Sequence, residues 1–195
     1  VYYRKDNVFV KGERYEIVTP FKTSIPYNLL CDMMHIDLSD NYIEDTFEAF
    51  KMMNTMAFKH QKRVMPTILT LREDGVLSMM MYDASIKTTT YRKINDIAED
   101  IKSGTPIVAF FYVSEMLVYE NLDAFNEDYS YRSQGKHFEI LSFHIVTKDY
   151  SNLYCISSEA VSEGKIDCKF PRLTKVETDD SISCMNPIVE AFKNR

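Results

Sequence analysis

Glycine is scarce in this chain, 5 of 195 residues, against a usual share of roughly 7%. Phosphate-cradling loops need glycine for positive φ angles and close backbone approach. None of the five stands in a G-x-G-x-x-G or G-x-x-x-x-G-K arrangement, so a dinucleotide fold or a P-loop enzyme is excluded. Tryptophan is absent. The four cysteines, Cys31, Cys155, Cys168 and Cys184, contain no C-x-x-C pair and do not resemble a small secreted disulfide framework. No apolar run reaches 18 residues, and Val1-Tyr2-Tyr3-Arg4-Lys5-Asp6 is not a signal peptide. A reduced, cytoplasmic setting with no membrane is the expectation. Positive charge is also short. Lys and Arg number 23 against 29 Asp and Glu, a net charge of 23 − 29 = −6, so no global basic field holds nucleic acid directly. The largest basic cluster, Lys59-His60-Gln61-Lys62-Arg63, ends a predicted helix, where cations complement the helix dipole.

What is plentiful is Tyr (13), Phe (12) and Met (11). Tyr and Met suit adaptable contact surfaces, and the same usage fits an AT-biased coding sequence such as a phage or other viral one. At 45% apolar and 27% charged, the composition is that of one globular domain. We read 1–195 as that domain, with a hairpin and linker at 1–26, a core at 27–160 and a C-terminal extension at 161–195.

Asn7–Val10 and Arg14–Val18 flank Lys11-Gly12-Glu13 and read as a hairpin, and Pro20–Pro26 as a linker. Leu29, Leu30, Met33 and Ile36 follow helical spacing. The strongest helix spans 41–63: Asn41 and Glu44 have capping-box spacing, and Ile43, Phe47, Phe50, Met53 and Ala57 form one stripe, widened by Met52 and Met56. Thr67–Leu71 and Val76–Tyr82 flank Asp74-Gly75, a strong hairpin signal. A helix over 91–103 carries Ile94, Ile97, Ala98 and Ile101 and ends at Gly104. Ile107–Val113 is an unbroken apolar run, the pattern of a strand buried on both faces. Strands at 138–147 and 153–159 follow, then a weaker pair across Gly164 and Pro171, a polar connector at 174–184, and a terminal helix opened by Asn186-Pro187. The order ββ-α-α-ββ-α-βββ-(ββ)-α predicts an α+β fold, a largely antiparallel or mixed sheet with packed helices. Its topology is similar to small sheet-and-helix domains of the profilin-like or MPN-like kind, which host scaffolds and enzymes alike. MPN-type metal chemistry is not supported, because the chain has no H-x-H arrangement.

Three residues are candidates for catalysis. Glu115 is a carboxylate inside an apolar strand, where burial raises a pKa into the working range of a general acid or base. His144 shares a strand face with Ser142, and Cys155 lies on the next strand, a conceivable Cys–His nucleophile pair. Register decides it: a five-residue loop at 148–152 sets His144 opposite Ile156, and a four-residue loop sets it opposite Cys155. Cys31 and His35 stand at i, i+4, but zinc needs further ligands and no spacing supplies them, so no metal or other cofactor is expected. The acidic segment 120–136 is long for a loop and carries Phe125, Tyr129 and Tyr131, with Tyr119 at its entrance. These aromatics read as anchors for a protein partner or for self-association. The expected role is a non-enzymatic binding or assembly protein. The alternatives are a small hydrolase or transferase using Glu115 with His144 and Cys155, and an accessory subunit of a nucleic-acid machine or phage accessory protein.

Overall fold

The computed structural model describes residues 2–5, 8–11, 19–61, 63–83, 87–119, 137–157, 174–176 and 184–195. In chain order the elements are β1 (Tyr2–Lys5), β2 (Val8–Lys11), β3 (Phe21–Pro26), α1 (Tyr27–Met33), α2 (Tyr42–Gln61), β4 (Thr67–Arg72) and β5 (Val76–Met81). Then come α3 (Lys87–Lys102), β6 (Ile107–Tyr119), β7 (His137–Thr147), β8 (Ser151–Ser157), β9 (Thr174–Val176) and α4 (Asn186–Lys193). The main sheet runs β3-β5-β4-β6-β7-β8-β9, and every described pairing is antiparallel. This is the α+β class that the order of elements predicts.

Helices cover both faces of the sheet. On one face, Phe47 and Phe50 of α2 pack with Leu30 of α1 against Leu69, Phe111, Phe143 and Ile145. Phe47 stacks on Phe111 at 5.9 Å and Phe50 meets Phe143 edge-on at 6.4 Å. On the other face, Ile94, Ala98 and Ile101 of α3 pack with Ile188 and Phe192 of α4 against Ile68, Phe110 and Val146. Strand β6 alternates between the two cores, Phe111 and Val113 on one side and Phe110 and Tyr112 on the other, which is why its sequence reads as an unbroken apolar run. Burying each such Phe contributes about 2–3 kcal/mol.

The long helix begins as the spacing predicts, with the Glu44 N–H donating to Asn41 Oδ1 at 3.3 Å. Glu44 does not complete the capping box: its carboxylate accepts from the Tyr150 hydroxyl instead. Asp45 does the reaching back, accepting from the Ser39 N–H at 2.8 Å and the Ser39 hydroxyl at 2.7 Å. Met52 is buried as expected, whereas Met56 is exposed. At the end of α3, the Thr105 N–H donates to the Asp100 carbonyl around Gly104, whose φ of +96° suits glycine.

Val8–Lys11 pairs antiparallel with Tyr2–Lys5, and the other expected hairpin strand, Arg14–Val18, lies outside the described residues. Three expectations are corrected. The stretch between Pro20 and Pro26 is the edge strand β3, not a linker; an edge tolerates proline on its open side. Residues 174–176 are β9 rather than connector, and the rest of 177–183 lies outside the described residues. The terminal helix begins at Asn186, so Asn186 makes no side-chain cap, and its Ile188, Ala191 and Phe192 pack into the core on the α3 face. The weaker strand pair expected across Gly164 and Pro171 lies outside the described residues.

Candidate functional site

Register places the three catalytic candidates. Glu115 pairs with Leu141, and Tyr112 pairs with His144, so alternation sends Glu115 to the α2 face and His144 to the α3 face. The two do not share a pocket. The Glu115 carboxylate accepts from the backbone N–H of Val64, just past the end of α2, which fixes the path of the chain into β4. His144 is opposite Leu153, and Cys155 is opposite Ser142. Neither expected loop length holds: the turn occupies Thr147–Tyr150, closed by the Thr147 N–H donating to the Tyr150 carbonyl at 2.8 Å. The Asp149 and Tyr150 N–H groups both donate to Thr147 Oγ1 at 3.2 Å. His144 and Cys155 therefore share a face as diagonal neighbours, roughly 7–8 Å apart by sheet geometry.

Around His144 the sheet carries a polar patch. Tyr112 lies across from it at 5.9 Å between ring centroids, and Ser142 donates to the Ser114 carbonyl at 3.1 Å. Burial lowers the His144 pKa to about 4, so the ring is neutral. Burial likewise raises Tyr112 to about 12, a shift opposed by Ser114 beside it. The Tyr82 hydroxyl, also pushed up by burial, lies beside Tyr112 and Thr90. Cys155 is pushed up by burial too, the opposite of an activated thiolate. A neutral imidazole beside a raised thiol has the character of a packed sheet interior.

Cys31 and His35 do not meet. Cys31 is fully buried in the α1–α2 core, its pKa pushed up to about 11 by burial and secondarily by Asp45. His35 lies past the end of α1 at a φ of +55°, on the exposed side. Among the described residues, no group of three or more His, Cys, Asp or Glu is placed to hold a metal ion. A cleft of about 600 Å³ opens where the starts of α2 and β6 meet the β7–β8 turn, lined by Asn41, Lys148, Tyr150 and Arg195 among others. Arg195 is engaged there, donating to the Ile107 carbonyl at 2.7 Å and to Glu73 at 3.2 Å.

Of the contact aromatics, the backbone of Tyr119 ends β6, and Phe125, Tyr129 and Tyr131 lie outside the described residues. A different apolar surface is in view. Seven large apolar side chains are strongly exposed among the described residues, and four of them, Phe21 (58%), Leu29 (45%), Met33 (58%) and Leu38 (54%), fall in one stretch. That stretch is edge strand β3, helix α1 and the turn after it. Leu29 and Met33 stand at i, i+4 on the side of α1 away from buried Leu30 and Cys31. The sequence signal for it was the non-alternating run Leu29-Leu30, which supplies one side chain to the core and one to solvent. No helix of the described residues is long and apolar enough to cross a membrane. No family model matches the chain, and neither a curated protein nor a solved structure matches it.

Proposed function

We propose that this chain is a non-enzymatic protein-binding or assembly protein, and that it associates through the β3–α1 side of its sheet. The observation that carries the reading is that exposed Phe21, Leu29, Met33 and Leu38 all fall within residues 21–38, the segment that forms edge strand β3 and helix α1. A lone exposed apolar residue is ordinary on any surface, so it is the gathering of four in one short segment that supports the reading. The chemistry argues the same way. Glu115 and His144 face opposite sides of the sheet, and burial holds His144 neutral and Cys155 protonated. An aromatic or aliphatic anchor set beside an open strand suits strand addition by another polypeptide.

The test is cross-linking with mass spectrometry in cells that make the protein, comparing wild type with the double substitution Leu29→Glu and Met33→Glu. Both side chains point to solvent, so the variant retains its fold. The reading expects protein–protein cross-links on residues 21–38 that disappear in the variant. Cross-links unaffected by the variant, or none on this segment, would overturn it.

A further inference from the structure

The hydrogen-bonding phase of β3 specifies what can pair with it. The Tyr27 N–H donates to the Gly75 carbonyl at 2.9 Å, and the register runs on from Pro26↔Val76 to Phe21↔Met81. Antiparallel bonding alternates, so Ile25, Thr23 and Phe21 direct their backbone groups towards β5, and Ser24 and Lys22 direct theirs outwards. Ser24 fits that phase: its hydroxyl lies 3.3 Å from that of Ser78 across a non-hydrogen-bonded pair, where side chains come closest. Pro26 and Pro20 fall in the same outward phase and have no N–H to offer. The open edge thus presents two donors, Lys22 and Ser24, flanked at equal distance by two prolines. Thr23 is the centre of that pattern. Among the described residues no strand pairs with this side of β3.

We propose that the occupant of this edge is a second copy of the chain, with β3 pairing antiparallel to β3 about a two-fold axis through Thr23. This rests on the association reading above and names its partner. In this register Lys22 exchanges both backbone hydrogen bonds with the partner's Ser24, and Ser24 does so with the partner's Lys22, which uses every outward N–H on both strands. Pro20 falls opposite the partner's Pro26, where neither strand loses a donor. A register shifted by two residues either way sets a proline against a donor and loses bonds, so the prolines select this one pairing. On the α1 face, exposed Phe21 lands beside the partner's Ile25, and Thr23 beside the partner's Thr23, cross-strand pairs of favourable types. One six-residue strand and its flanks make a contact at the small end of specific interfaces, roughly 1,200 Å², so the dimer forms with rising concentration. The two Lys22 side chains lie diagonally on the other face, and added salt tightens the pairing by screening them.

Sedimentation equilibrium from micromolar to millimolar protein reads the association, and two variants assign it. Lys22→Pro removes an outward donor while leaving the ladder to β5 intact, and it is expected to abolish the dimer with an unchanged circular dichroism spectrum. Thr23→Cys sets two sulfurs at a non-hydrogen-bonded pair and is expected to give a covalent dimer on oxidation, which wild type and Lys22→Cys do not. A wild-type chain monomeric throughout, with Thr23→Cys not cross-linking, overturns self-pairing. In that event, cross-links on residues 21–38 to a different protein in the cell leave the association reading standing, and their absence removes both. A dimer that persists in Lys22→Pro, or cross-links equally through Lys22→Cys, overturns the Thr23-centred register.

Discussion

Glu115 and His144 stand on adjacent strands, three residue pairs apart along the β6–β7 ladder, yet on opposite faces of the sheet. The odd offset sets this relationship, and it separates the two side chains by the thickness of the sheet. Each is then held by its own core. What the sequence presents as a pair of reactive groups is divided between two layers of the fold.

For Glu115 the role is to hold the chain as α2 gives way to β4. Glu115→Ala leaves the Val64 N–H without its acceptor and is expected to lower unfolding free energy by about 1–3 kcal/mol. Glu115→Gln keeps an acceptor oxygen and is expected to retain most of that stability. Urea unfolding of the two variants checks this; equal losses would contradict it.

His144 predicts a pH dependence with a definite sign. The folded protein keeps the ring neutral down to about pH 4, whereas the unfolded chain takes up a proton near its ordinary pKa of 6.5. Between those values the unfolded state binds the additional proton, so stability falls as pH is lowered through this window, by on the order of 3 kcal/mol in all. His144→Phe keeps a ring against Tyr112 and removes the titration. Urea midpoints at pH 7 and pH 5 are expected to fall further for wild type than for the variant; parallel falls would contradict the assignment.

Elements with a long or repeated signal were legible in the sequence. The 3.6-residue stripe of α2, the Asp74-Gly75 turn and the two-sided apolar run of β6 each announce their structure. β3 was not, because Pro20 and Pro26 read as breakers; only the phase of the ladder shows both on the open side, where proline costs nothing. The register of β7 against β8 was missed for a smaller reason. Thr147 closes the turn with its own hydroxyl, a side-chain turn that brings Ser151 into the strand earlier than the polar run Lys148–Asn152 suggests. That shift decides whether Cys155 faces His144 or Ser142, so the candidate site was the least legible part of the molecule.

Among the described residues, two glycines sit at positive φ and are expected to respond differently to alanine. At Gly104, φ +96°, an added Cβ meets nothing within 4 Å, so Gly104→Ala bears only the backbone cost of about 1–2 kcal/mol. At Gly75, φ +77°, the same Cβ would lie 3.1 Å from the Tyr27 ring, whose backbone N–H is bonded to the Gly75 carbonyl. Gly75→Ala is therefore expected to be the more destabilising in thermal unfolding, because strain there reaches the junction of β3 with α1. A smaller effect at Gly75 than at Gly104 would contradict this packing.

The most direct test of the account is amide hydrogen exchange at four neighbouring residues of β3, followed as protein concentration rises. Thr23 and Ile25 are bonded inwards to β5, and their protection is predicted to be the same at every concentration. Lys22 and Ser24 face outwards, and the account predicts fast exchange in dilute solution and protection that grows with concentration as the partner's strand docks. Fast exchange of Lys22 and Ser24 at all concentrations, or protection as full as that of Ile25 in dilute solution, would contradict it.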